Sequence, residues 1–402
     1  MDIFDKYAAL ESRHGKVLAA GPDPLSLPME RILSPTRAMI GGQETILVGT
    51  NNYLGLTFDP ACMDASIEAI RAQGTGTTGS RIANGTYAMH KQLEADIADF
   101  MGMRSAIVFT TGYQANLAMI SGLAGPKDVI LVDSDWHASI FDGCKLSGAK
   151  VVRFKHNDPA DLERRMLRNK DEHDCMLVIV EGLYSMLGDR APLAEFVEVT
   201  KRHGGFLLVD EAHSLGVFGP NGRGVAEDLG VLDQVDFIAG TFSKSLGAIG
   251  GYGVSNHPKF DMLRYTAKPY MFAASPSPAT IASVTAAVKR MQEEPGLRQQ
   301  IWRNANALYE GVTALGFEVA SPASPIIAIK LPDEATVIWA WNRLLSLGVY
   351  VNLAVPPGTP NGVCLLRCSL SAAHTDAEIA TVIEKFGVMA SEMQAQQEEL
   401  VD

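Results

Sequence analysis

Residues 205–214, GFLLVDEAHS, and residues 236–245, DFIAGTFSKS, decide how this 402-residue chain is read. In the first, the apolar run Phe206 to Val209 stops at Asp210, and His213 follows three positions on. In the second, a short apolar run ends at Thr241, with Ser243 and Lys244 just beyond. Short unbroken apolar runs bounded by polar or Gly-rich residues are the pattern of strands buried on both faces. The same texture recurs outward in SAIVFTT (105–111), DVILVD (128–133), AKVVRF (149–154) and CMLVIVEG (175–182), alternating with helical patterns from about residue 60 to 285. That alternation predicts an α/β fold: a largely parallel central sheet with helices on both faces. Such sheets bind ligands outside the carboxyl ends of their strands. The residues directly after each apolar run are therefore the candidate site.

The flanks read differently. Ile3, Phe4, Tyr7 and Leu10 fall at helical spacing, GPDPLSLP (21–28) is a connector, and TILVGT (45–50) reads as a strand running into a loop. After residue 285 the texture becomes a long helical stretch (286–316), then SPIIAIKLP, ATVIWAWNRLLSLG, VYVNLAV and CLLRCSL. The expected domains are an N-terminal helix and arm (1–45), a large domain (46–285) and a smaller α+β domain (286–402).

Composition sets limits on function. Lys and Arg total 34 against 46 Asp and Glu, a net charge of −12, which is the wrong sign for a chain that grips a nucleic-acid backbone. The five cysteines (62, 144, 175, 364, 368) are scattered, without zinc-site spacing, and fit reduced thiols rather than a disulfide framework. No apolar run approaches the ~20 residues of a membrane span. The N-terminus lacks a basic start followed by an apolar core, so no secretory signal is read. The expected setting is cytoplasmic, with contact at the inner membrane surface left open. Glycine, at 37 residues, is in excess. It points to close backbone approaches.

One motif misleads. Gly74-Thr75-Gly76-Thr77-Thr78-Gly79 spells the GxGxxG dinucleotide fingerprint, which needs a strand before it and a helix after it. Here ASIEAIRAQ precedes it with helical spacing and SRIANGT follows as a turn. The strand ends carry more. A carboxylate (Asp210), an imidazole (His213), two hydroxyls (Thr241, Ser243) and one lysine (Lys244) converge on one sheet edge. A lysine can form a Schiff base with an aldehyde cofactor, and a carboxylate facing a pyridinium nitrogen keeps it protonated. The turn at Gly112-Tyr113, between SAIVFTT and the helical QANLAMISGLAG, supplies a phosphate cup. His137, after VILVD, is placed to lie over a cofactor ring, and Ser185, after MLVIV, to donate to its phenolic oxygen.

Taken in order, TNNYLGL, GTGTTGSRIANGT, FTTGYQAN, DSDWHASI, EGLYSMLGD, VDEAHS, FGPNGRG, GTFSKSLGAIGG and LLRCSLSAAHT resemble the α-oxoamine synthases, a family of fold-type I pyridoxal 5′-phosphate enzymes. The likeness spans nearly the whole chain. LSPTRA, DGCKLSGAKVVRFKHND, VSNHPKF and CLLRCS look most like the bacterial branch that condenses L-serine with a long-chain acyl thioester, the first step of sphingolipid synthesis. The resemblance implies a mostly parallel seven-stranded sheet and pyridoxal phosphate held on Lys244, with Asp210 at the pyridine nitrogen. His213 and Ser185 would lie near the phenolic oxygen, with Gly112, Tyr113, Thr241 and Ser243 around the phosphate. It also implies His137 stacked on the ring, Arg367 on the substrate carboxylate, and Asn52 as a second polar contact. A homodimer is implied, with Ser275 reaching the partner's phosphate, although Ala273 stands where a threonine is expected. Val355 stands where serine-using members are expected to carry an arginine. Either Arg367 and His137 suffice for the carboxylate, or the amino acid binds more weakly or is not serine. A relative that uses glycine or alanine is the alternative, and the acyl carrier, coenzyme A or an acyl carrier protein, stays open.

Overall fold

Most of the strands form where β-branched and leucine side chains run unbroken, because both faces of the sheet are covered; the edge strand Lys150–Phe154 is the exception, with Lys150, Val151 and Arg153 exposed. Ile130, Val178, Ile179, Leu207, Leu208 and Val209 are fully excluded from solvent. The structure, a computed structural model, describes residues 2–170 and 172–399. We number the seven strands of its large sheet in chain order: β1 Ser105–Phe109, β2 Val129–Asp133, β3 Lys150–Phe154, β4 Met176–Glu181, β5 Phe206–Asp210, β6 Phe237–Thr241 and β7 Gly251–Ser255. Their order across the sheet is β1-β7-β6-β5-β4-β2-β3. Only β7 runs antiparallel to its neighbours; the pairs β6–β5, β5–β4, β4–β2 and β2–β3 are parallel. Six strands therefore end on the same edge.

Helices leave that edge with sequence-encoded starts. Thr111 caps helix Gly112–Leu123 by accepting from Gln114 N, and His137 caps helix Ala138–Ser147 through its own ring nitrogen. Asp158 caps helix Pro159–Asn169, which has proline in its first turn.

The chain divides into two compact units. One comprises residues 51–185 and 189–300 and holds the large sheet; the other comprises the chain up to Thr50, residues 186–188, and the chain from Ile301 onward. The boundaries thus fall at 50/51 and 300/301 rather than at 45/46 and 285/286. Helix Pro278–Glu293 belongs with the large sheet because it packs on helix Pro60–Gln73. The second unit carries two small sheets. Strands Arg31–Ser34, Arg37–Ile40 and Gln43–Leu47 form an antiparallel meander joined by Val349–Tyr350, and Ile326–Leu331, Cys364–Ser369 and Asn352–Ala354 form a three-stranded antiparallel sheet. No described helix is long and apolar enough to cross a membrane.

The N-terminal apolar residues do not share one buried helix face: the helix runs Ala8–Ala20 after a short turn, and Ile3, Phe4, Tyr7 and Leu10 are all exposed. The GTGTTG segment follows helix Pro60–Gln73 and enters a tight irregular loop. A Cβ on Gly79 would lie 1.9 Å from Asn84 Oδ1, and one on Gly85 would lie 2.1 Å from the Gly79 carbonyl oxygen. Gly79 and Gly85 thus let the loop fold on itself, and Gly74 ends the preceding helix at φ +81, while a Cβ on Gly76 would meet nothing within 4 Å.

Candidate active site

At the common strand edge, register sets the neighbours. Glu181 pairs with Asp210, and Asp210 with Ala239; Gly251 of β7 lies between Thr241 and Phe109. A cavity of about 280 Å³ opens there, lined by the ends of β4, β5 and β6 and by the first turns of the helices after β1 and β2. One wall is a helix N-terminus, whose first backbone N–H groups have no partner within the helix. Gly112 begins it, and a Cβ there would lie 2.6 Å from Thr241 Cβ. Thr241 Oγ1 donates to Gly250 O at 2.9 Å and lies 2.8 Å from Ser243 Oγ. Main-chain N–H groups and hydroxyls are thus gathered at this wall, which suits a phosphate. Gly112→Ala is expected to close this cradle and weaken pyridoxal phosphate binding about tenfold or more, as read by titrating cofactor into stripped protein.

The other wall is charged. Asp210 is buried, with Oδ2 accepting from Asn116 Nδ2 at 2.7 Å and Oδ1 from Ala212 N at 2.8 Å. Those two bonds hold its carboxylate in a fixed plane at the cavity wall. Glu181, buried beside it, accepts from the His137 backbone N at 2.7 Å. Burial and then the adjacent Asp210 push the Glu181 pKa well above the carboxylate range. His137 turns its ring into the cavity, yet the surrounding protein withholds bulk water and lowers its pKa; Asp210 opposes this and Lys244 adds to it. Half-buried Lys244 lines the same space. His213 Nδ1 sits 2.7 Å from the hydroxyl of Tyr53, a fully buried ring that fixes the imidazole's orientation.

A second histidine supports the edge from outside the cavity. His156 Nδ1 lies 2.8 Å from Asp133 Oδ1 and its Nε2 lies 2.7 Å from Asp189 Oδ2. It clamps the loops that lead to His137 and away from Ser185. Burial opposes the imidazolium, but the hydrogen bonds to Asp133 and Asp189 outweigh burial and push its pKa up to about 10. Asp135 Oδ2, 3.9 Å from the same ring, completes a group with metal-ligand spacing, but the proton held between two carboxylates already supplies the cation. A pKa raised on folding stabilises fully below the unfolded value of about 6.5, and that stabilisation is lost as pH rises through the folded value. The stability gap between wild type and His156→Gln should therefore be widest at or below pH ~6.5 and narrow up to about pH 10. Urea midpoints across that range read it.

Of the residues read from the sequence, Gly112, Tyr113, His137, Asp210, His213, Thr241, Ser243 and Lys244 line this one cavity. Ser185, Ser275, Asn52 and Arg367 are not among its lining residues. Ser185 lies in the turn after β4. Ser275 is buried, with Oγ 2.6 Å from Thr77 Oγ1, and Asn52 Nδ2 donates to Thr57 Oγ1 at 2.8 Å. Arg367 is buried in the middle strand of the three-stranded sheet, where Nη1 donates to Ser369 Oγ at 2.7 Å. Sequence reading missed Glu181, Asn116, Ser139, Tyr53 and His156. Glu181 was open to the strand-end rule that found Asp210; Asn116 and Ser139 were detectable as polar positions in the first two turns of the helices after β1 and β2.

A buried carboxylate, a lysine, an imidazole and a helix N-terminus lining one cavity make the donor set of a pyridoxal-phosphate site, and the class is a fold-type I pyridoxal-phosphate transferase. The comparisons agree. The family model "Aminotransferase class I and II" matches residues 43–386. A serine palmitoyltransferase from Caulobacter vibrioides (strain NA1000 / CB15N) is 52% identical over 387 residues, 96% of each chain. Another from Sphingomonas paucimobilis is 48% identical over 96% of this chain and 92% of its own. A solved structure of SPT with PLP superposes with a TM-score of 0.95 at 47% identity, covering 98% of this chain and 99% of that one. The chain belongs to the aminotransferase class I and II family, in its α-oxoamine synthase branch.

Proposed function

We propose that this chain is a serine palmitoyltransferase, condensing L-serine with a palmitoyl or similar long-chain acyl thioester, with loss of carbon dioxide, to give 3-ketosphinganine. The observation that carries the chemistry is the meeting of Lys244, Asp210 and His137 in one cavity at the carboxyl edge of the sheet. Near full-length similarity to serine palmitoyltransferases supports the choice of substrates. When bound, pyridoxal phosphate supplies an aldehyde for the amino-acid nitrogen and a ring that spreads the electron pair left at Cα. Asp210 holds a proton at the ring nitrogen, which keeps the ring able to take up that pair. Lys244 Nζ takes the Cα proton; after the Cα electron pair has displaced the thiolate from the thioester and carbon dioxide has left, it returns a proton to Cα. His137 orients the serine carboxylate and donates to the oxyanion formed at the thioester carbonyl.

The remaining assignments follow the resemblance. Arg367 takes the serine carboxylate, Asn52 is a further polar contact, Ser185 serves the phenolic oxygen, and the working unit is a homodimer in which Ser275 serves the partner's phosphate site. Val355 supplies no charge for the carboxylate. Mass spectrometry of products from L-serine, glycine and L-alanine, each with palmitoyl-CoA and with palmitoyl acyl carrier protein, tests the reading. The expected product is 3-ketosphinganine from serine; preferential condensation of glycine or alanine would replace serine as the substrate.

A further inference from the structure

The hydrogen bonds behind His137 have a direction. Asn116 Nδ2 lies 2.7 Å from Asp210 Oδ2 and 2.9 Å from Ser139 Oγ. Only the NH₂ side of an amide can face a carboxylate, so Asp210 fixes which way the Asn116 amide points. Ser139 Oγ is then the acceptor from Asn116, and its own proton goes to His137 Nδ1, 2.7 Å away. The Ser139 backbone N also donates to Nδ1, at 3.2 Å. An imidazole nitrogen that faces two donors is the unprotonated one, so the proton of neutral His137 sits on Nε2. Both relay residues are buried, Asn116 4% and Ser139 1% exposed, so water does not compete for these bonds.

We propose that Asn116 and Ser139 are positioning residues: they tie His137 to the Asp210 carboxylate and hold its ring as the Nε2–H tautomer, a donor toward the serine carboxylate and the thioester oxyanion. This rests on the function proposed above. It deepens that reading by fixing the direction in which His137 hydrogen-bonds. The opposite tautomer would turn a lone pair toward two negatively charged groups.

The relay also favours neutral imidazole, because a protonated Nδ1 would face the Ser139 N–H. The lowered pKa of His137 agrees. The charged and titratable groups around the ring are Asp210, Lys244, Glu181 on its backbone N–H, His213 across the cavity, and Tyr113, whose ring is 6.4 Å away and whose hydroxyl is bonded to Asp142. A change at Ser139 leaves all of them in place.

Two-bond ¹H–¹⁵N spectra of full-length, cofactor-loaded protein labelled with ¹⁵N-histidine test the proposal, with His137→Gln identifying the signals. Wild-type His137 is expected to read as Nε2–H. In Ser139→Ala its titration midpoint should rise by about half a pH unit or more, and kcat/KM for L-serine should fall about five- to tenfold. Ser139→Thr, which keeps the hydroxyl, should restore both. Should Ser139→Ala fold poorly, Asn116→Ala opens the relay from its other end and should move the midpoint the same way. An Nδ1–H wild-type ring, or an unmoved midpoint in the folded variant, would overturn the proposal. The tautomer and midpoint do not depend on which amino acid is condensed, so a wrong substrate assignment shows in the products alone.

Discussion

Lys244→Ala is expected to lower the rate of condensation by roughly 10²- to 10⁴-fold at saturating serine and thioester, with the thermal unfolding midpoint changed by no more than a few degrees. Lys244 follows β6 in an irregular loop and is half-buried in the cavity, so its removal leaves the strands and their covering helices as they were. The loss is chemical: among the described residues no other lysine lines the space where Asp210 and His137 meet. Lys244→Arg separates charge from proton transfer. A guanidinium keeps the positive charge but cannot give up a proton near neutral pH, so the arginine variant should be as inactive as the alanine one. Exchange of the Cα hydrogen of serine with solvent, followed by NMR without any thioester, isolates the step and should fall in parallel.

Asp210→Asn is expected to cost both activity and stability. Activity should fall by roughly 10²-fold or more, because a neutral amide no longer favours a proton on the ring nitrogen. Stability should fall by about 1–3 kcal/mol, for a reason visible in the hydrogen bonds. Both carboxylate oxygens accept, one from Asn116 Nδ2 and the other from Ala212 N. An amide offers one oxygen and one NH₂ group, so at position 210 one of those two buried donors would face another donor. Urea denaturation and steady-state rates measured on the same preparation read both effects.

Much of this was legible from the sequence for a physical reason. Strands such as Val129–Asp133 are buried on both faces, so apolar character runs unbroken and the first polar residue marks the strand end. Gly251–Ser255 was not legible, because its small residues answer to neighbours distant in sequence. A Cβ on Gly251 would lie 2.6 Å from Gly112 Cα, and one on Gly253 would lie 2.4 Å from Met119 Sδ. GYGVS therefore carries the signature of a close approach rather than of a strand. The hairpin Arg31–Ile40 was missed because its first strand is half-exposed and bears no unbroken apolar run.

The site divides along the same line. Asp210 and Thr241 end strands, and His213, Ser243 and Lys244 lie just beyond them, so position along the chain revealed them. His156 is found only from its two carboxylate partners, which lie 23 and 33 residues away. The relay through Asn116 and Ser139 needs three elements in register and has no local motif. The GTGTTG loop shows the converse: letters that match a fingerprint while helix-then-turn context gives the glycines another purpose.

In the proposed function, Lys244 holds the cofactor at the carboxyl edge of this sheet. Borohydride reduction of the loaded protein fixes pyridoxal phosphate to the lysine that carries it, and peptide mass spectrometry then locates the label. A single phosphopyridoxyl group is expected on the peptide spanning GTFSKS, at Lys244. A label on any other lysine, with the reduced protein inactive, would contradict it.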